Sequence, residues 1–81
     1  MKENPLKKVL REKDMNRDEL AVIAGIDSMN IYQLLNGGRA HLPKSVLSAL
    51  KKIGYDPDEI QKEYEAWRKE KAQKLLEKIG G

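Results

Sequence analysis

The chain has 81 residues, 16 basic and 13 acidic side chains, a formal net charge of +3, one histidine, no cysteine and no phenylalanine. That length makes one small domain with an aliphatic core, and the missing cysteines exclude a disulfide framework or a thiolate metal site, while His41 alone cannot build a histidine metal cluster. The longest apolar runs are four or five residues, too short to span a membrane; with no signal peptide in view, a cytoplasmic location is expected by default.

Asn4-Pro5 reads as a helix cap followed by proline at the first helical position, where its missing amide has no partner to lose. Leu6, Val9 and Leu10 give this first helix a core face, and its end is expected near Lys13. The second helix opens at Asn16 with Glu19 three residues on, the pair that satisfies free amides reciprocally at a helix start. Leu20, Ile23 and Ala24 make its apolar stripe, and Gly25 can take the left-handed conformation that ends a helix. Ile26 plugs the angle to the third helix, Asp27 is expected to cap it, Ile31, Leu34 and Leu35 are its stripe, and Gly37-Gly38 ends it. Two short helices across a tight turn form a helix-turn-helix unit.

Pro43 opens a fourth helix with Val46, Leu47, Leu50 and Ile53 inward and Gly54 as its stop. Asp56-Pro57-Asp58-Glu59 repeats the start signal, with acids where the helix dipole favours them. A long fifth helix is expected from Pro57 to about Ile79. No alternating strand pattern and no internal repeat occurs, so the expected fold is all-α with five helices. Residues 1–81 form a single domain, with a core over 5–54 and a C-terminal helix over about 57–79. In that last helix Ile60, Tyr64 and Trp67 form a face that needs a cover, either the domain's own core or a copy of itself in a dimer. Lys71 interrupts the stripe, and Ala72, Leu75 or Leu76, and Ile79 resume it nearby.

The charge is uneven. Residues 1–55 carry ten basic and six acidic side chains, net +4, whereas residues 56–81 carry six basic and seven acidic, net −1. A basic front half suits a polyanionic partner. A recognition helix enters the major groove with its first turn. Here that turn offers Ser28, Met29 and Asn30, with Gln33 one turn further; Asn and Gln can pair bidentately with adenine, and Met29 can meet a thymine methyl. The alternative is that these are the solvent face of a surface helix. Arg17, in the first turn of the second helix, is the leading candidate for a phosphate contact, with Lys44 a weaker addition.

Residues 5–54, through DELAVIAGID around Gly25 and LLNGGRAHL after it, resemble the Cro/cI-repressor-like (lambda repressor-like) helix-turn-helix family. The resemblance implies a five-helix DNA-binding domain that pairs as a dimer, often through the fifth helix. It also implies that Ser28, Met29 and Gln33 read bases and that Asn36 and Arg39 contact DNA phosphates. Asp27 departs from the pattern, because a carboxylate near phosphates is repelled unless it is engaged in capping.

The function expected is therefore that of a small sequence-specific transcriptional regulator, resembling phage or mobile-element repressors and Cro. It would read the major groove of double-stranded DNA with helix 28–36, as a homodimer on half-sites about one helical turn apart. The alternative is a protein-interaction adaptor on the same fold, or a module of the phage DNA-packaging or antitoxin type. Gly37-Gly38 is a helix stop rather than a nucleotide loop, and His41 reads as a loop or cap residue. With no nucleophile–base constellation in the sequence, neither enzyme activity nor a cofactor, metal or small-molecule substrate is expected.

Overall fold

The computed structural model describes residues 2–80 and consists of five helices: α1 (Pro5–Glu12), α2 (Arg17–Ala24), α3 (Ser28–Leu35), α4 (Lys44–Lys52) and α5 (Pro57–Gly80). No strand occurs among the described residues, and none of their helices is long and apolar enough to cross a membrane. The four short helices close in one way. The amide after a left-handed residue reaches back five positions: Met15 to the Leu10 carbonyl, Ile26 to Ala21, Gly38 to Gln33 and Tyr55 to Leu50, at 2.8 to 3.0 Å. The left-handed residues are Asp14, Gly25, Gly37 and Gly54. This closure satisfies helix-end carbonyls and turns the chain sharply.

One aliphatic cluster sits at the centre. Leu6, Val9 and Leu10 of α1 meet Leu20 and Ala21 of α2, Ile31 and Leu34 of α3, and Val46, Ala49 and Leu50 of α4. Ile60, Tyr64 and Trp67 of α5 close it, with Leu42 from the loop before α4. The need for a cover is thus met within the chain: Tyr64 is fully buried and packs against Trp67, ring centroids 5.9 Å apart. In α2 the stripe differs from expectation. Ile23 is 37 % exposed, and Ala21 takes its place beside Leu20, with Ala24 half-buried. Two alanines on the inner side suit a helix packed against both α3 and α4. Pro43 stands one position outside α4, as its cap, and its carbonyl accepts the Val46 and Leu47 amides.

Two contacts tie the ends of the chain to α3. The buried Asn4 side chain accepts from the Leu6 amide at 2.8 Å, capping α1, and donates to the Leu34 and Leu35 carbonyls at 3.1 Å each. Gly37, just past α3 with φ +76°, lies under Trp67, and a Cβ there would stand 3.0 Å from the ring. From Ala72 onward α5 is exposed and extends past the bundle. The helix is about 36 Å long at about 1.5 Å per residue, which gives the molecule its 42 Å long axis against 23 and 22 Å across.

Gly37→Ala is expected to lose about 2–4 kcal/mol, from left-handed strain plus overpacking on the buried Trp67 ring. Gly25→Ala, with a similar φ but open space around it, is expected to lose only about 1–2 kcal/mol. Urea unfolding of the two variants checks this difference. Asn4→Asp is expected to be at least as destabilising as Asn4→Ala at neutral pH, although Asp caps helices as well as Asn does. The carboxylate keeps the cap but turns lone pairs toward two carbonyls that need donors. A near-wild-type unfolding midpoint for Asn4→Asp would show that those two bonds contribute little.

Candidate nucleic-acid interface

The α2–α3 pair is set by local chemistry. Asn16 Oδ1 accepts from the Glu19 amide at 2.9 Å, and Glu19 Oε1 accepts from the Asn16 amide at 3.0 Å, the reciprocal cap expected from the sequence. Gly25, at φ 71°, then turns the chain into α3, with half-buried Ile26 against the core. Asp27 occupies the cap position of α3, but its side chain makes no capping hydrogen bond. Only its backbone carbonyl engages the helix, accepting from the Asn30 amide at 3.0 Å. The expected side-chain cap is absent, and the exposed carboxylate stands unengaged by the helix start.

α3 has two faces. Ile31 and Leu34 are fully buried. On the opposite side Met29 is 58 % exposed and Tyr32 45 % exposed, Gln33 is exposed, and Ser28 and Asn30 are half-buried. At about 3.6 residues per turn, Met29 and Gln33 form the outermost ridge. Each side of the ridge carries a guanidinium. Arg17 stacks over Tyr32, its Cζ 5.0 Å from the ring centroid, which joins the start of α2 to α3 by a cation–π contact. Arg39 folds back from the following loop, donating through Nη2 to Asn30 Oδ1 at 2.6 Å and through Nε to Gln33 Oε1 at 3.1 Å. Six of the residues singled out by sequence, Arg17, Ser28, Met29, Asn30, Gln33 and Arg39, thus lie around one surface. Asn36 is exposed at the C-cap of α3, and Lys44 is exposed on another element, at the first position of α4.

The loop 36–42 that carries Arg39 is held by one flank of α5, in antiparallel order. Lys71 Nζ donates to the Asn36 carbonyl at 2.8 Å, and Arg68 Nε to the Gly37 carbonyl at 3.0 Å. The Tyr64 hydroxyl donates to the Arg39 carbonyl at 2.7 Å, and His41 Nδ1 pairs with Glu65 at 2.9 Å. Gln61 completes the series, accepting from the Leu42 amide at 2.9 Å and donating to its carbonyl at 3.2 Å. Lys71, a break in the apolar stripe by sequence, lays its ammonium 5.2 Å from the Trp67 centroid on the way to that carbonyl. Sequence reasoning did not find this clamp. Its signal, polar residues spaced three or four apart around Tyr64, is also that of any solvated helix flank.

Comparison of the chain with protein-family models, curated proteins and solved structures finds no match.

Burial raises the Tyr64 phenol above its ordinary value, outweighing the lowering by nearby Arg68. The neutral phenol is the form the fold binds. Its stabilisation is therefore complete below about pH 10, the ordinary tyrosine value, and is lost as pH rises through the raised one. Tyr64→Phe, which keeps the ring and frees the Arg39 carbonyl, is expected to lose about 1 kcal/mol at neutral pH. The gap between wild type and variant should narrow above about pH 10, as read by urea unfolding across pH.

Proposed function

We propose that this chain is a small sequence-specific DNA-binding regulator of the Cro/cI-like type, with α3 as its major-groove helix and Arg17 as a backbone contact. The observation that carries the reading is the outer face of α3. Its polar and adaptable side chains point away from the core while Ile31 and Leu34 anchor the other side, and a guanidinium stands at each edge. Nothing from α5 covers that face: the clamp grips the loop behind it. A homodimer on a partly palindromic site belongs to the proposal. Since Ile60, Tyr64 and Trp67 are buried in the domain's own core, pairing falls to the exposed stretch of α5 that holds Leu75, Leu76 and Ile79.

A second reading, a protein-interaction adaptor, is favoured by a specific observation. The Asp27 carboxylate is uncapped at the start of α3, and Asp18 and Glu19 stand in the first turn of α2, where phosphates would approach. Selection of bound duplexes from a random pool, followed by titration at several salt concentrations, separates the two. Under the DNA reading an enriched, partly palindromic sequence emerges, and Arg17→Ala flattens the slope of log affinity against log salt by about 0.9 for each phosphate no longer neutralised. Asp27→Asn is expected to tighten binding by about two- to three-fold at low salt by removing a like charge. Failure of the wild type to retain any duplex at low salt would favour the adaptor.

A further inference from the structure

We infer that Arg39 is the principal base-reading group of this interface and that it selects guanine; the inference rests on the DNA-binding reading above. By the resemblance Arg39, just beyond the end of α3, belongs with the phosphate contacts. The side chain does not stay beside the helix. It folds back across the outer face to Asn30 and Gln33, two neighbouring positions one turn apart that were expected to read bases themselves. Both partners are neutral amides, so these contacts leave the charge of Arg39 uncompensated by a carboxylate.

The chemistry of the pair of contacts fixes what the cluster can offer. A guanidinium has five N–H donors and no acceptor. Each amide atom facing it must therefore be the carbonyl oxygen, which turns the NH2 groups of Asn30 and Gln33 to the other side. Two guanidinium N–H bonds are occupied and three remain. The exposed surface is thus rich in donors, with its acceptor oxygens already drawn to a cation. In the major groove guanine alone presents two acceptors, N7 and O6; adenine pairs one acceptor with a donor, cytosine offers a donor, and thymine one acceptor. A bidentate adenine contact needs the amide oxygen as acceptor, and in both residues one of its two lone pairs already goes to Arg39. With three free guanidinium donors against one free lone pair on each amide oxygen, the face suits guanine better than adenine.

The backbone beneath Arg39 is equally constrained. Its carbonyl accepts from Tyr64, and the loop on either side is held by Arg68 and Gln61. A side chain held at both ends loses less rotamer entropy when it engages a base.

The test uses the full chain and duplexes enriched from the random pool. Each guanine of the site is replaced in turn by 7-deazaguanine, which removes the N7 acceptor and keeps Watson–Crick pairing. One guanine is expected at which this change weakens wild-type binding about ten-fold or more. Arg39→Ala, an exposed truncation that leaves the clamped carbonyl in place, should bind the unmodified duplex about as weakly and be indifferent to the change at that guanine. Gln33→Ala with Asn30→Ala should lower the preference for guanine over adenine there without altering the salt slope. The inference is overturned, with the DNA reading intact, if Arg39→Ala weakens all duplexes alike, reduces the salt slope and leaves every guanine as sensitive as in wild type. It is overturned likewise if the base coupled to Arg39 is adenine. Absence of any wild-type duplex binding at low salt overturns both.

Discussion

The C-terminal end of α3 is where the chain is tied together. An eight-residue helix has no independent stability in water, and its last carbonyls lack partners within the helix. Here they are engaged in sequence. The Asn36 amide takes the Tyr32 carbonyl, Gly38 takes Gln33, Gly37 and Asn4 share Leu34, and Asn4 also takes Leu35. The carbonyls just beyond, of Asn36 and Gly37, go to Lys71 and Arg68. The N-terminal residues and the last long helix therefore meet at one point, each supplying donors that a short helix cannot supply to itself. Two of those donors are cations at the negative end of the α3 dipole, which adds attraction to the hydrogen bonds.

α5 can play this part because its residues fall into distinct bands. Ile60, Tyr64 and Trp67 enter the core, and the flank carrying Gln61, Tyr64, Glu65, Arg68 and Lys71 follows the loop 36–42. Tyr64 belongs to both, with its ring in the core and its hydroxyl on the Arg39 carbonyl. Gly37 is under Trp67 for the same reason: the loop approaches so closely that no Cβ fits without displacing the ring. Core packing and loop position are thus one constraint. The backbone of α3 is positioned from behind its outer face, by the core and the clamped loop.

What the sequence reveals follows the range of the interactions. The capping box at Asn16 and Glu19, the Asp56 cap and the glycine stops are contacts between residues two to five apart, and they can be read from spacing. Asp14 takes the left-handed position that glycine fills elsewhere, so the close of α1 lacks the usual sign, although the expected end near Lys13 is correct. Ile23 and Ala21 show a second limit. Periodicity counts apolar residues, but two flanking helices select the smaller side chain for the inner face. Asp27 shows a third, since a residue type able to cap need not do so once its backbone is already committed to the turn. Beyond these, the long-range bonds were invisible. Asn4 was legible as a cap for α1, but its two bonds to α3 span 30 and 31 positions, and Lys71 reaches 35 positions back. No local pattern marks a backbone carbonyl as their partner.

The balance of charge bears on how such a surface could distinguish sequences. A net charge of +3, with Asp18, Glu19 and Asp27 close to the expected phosphate path, leaves little non-specific attraction to a polyanion. Under the proposed DNA reading, such a surface would rely on directional hydrogen bonds more than on counterion release, and such bonds discriminate only when their donors are held still. The two guanidiniums are treated accordingly. Arg17 lies on an aromatic face, a contact tolerant of rotation about the ring. Arg39 is fixed by two side-chain bonds above a clamped carbonyl. The less constrained cation suits a phosphate, which can be approached from many directions. The more constrained one suits a base edge, where an error of an ångström removes the bond.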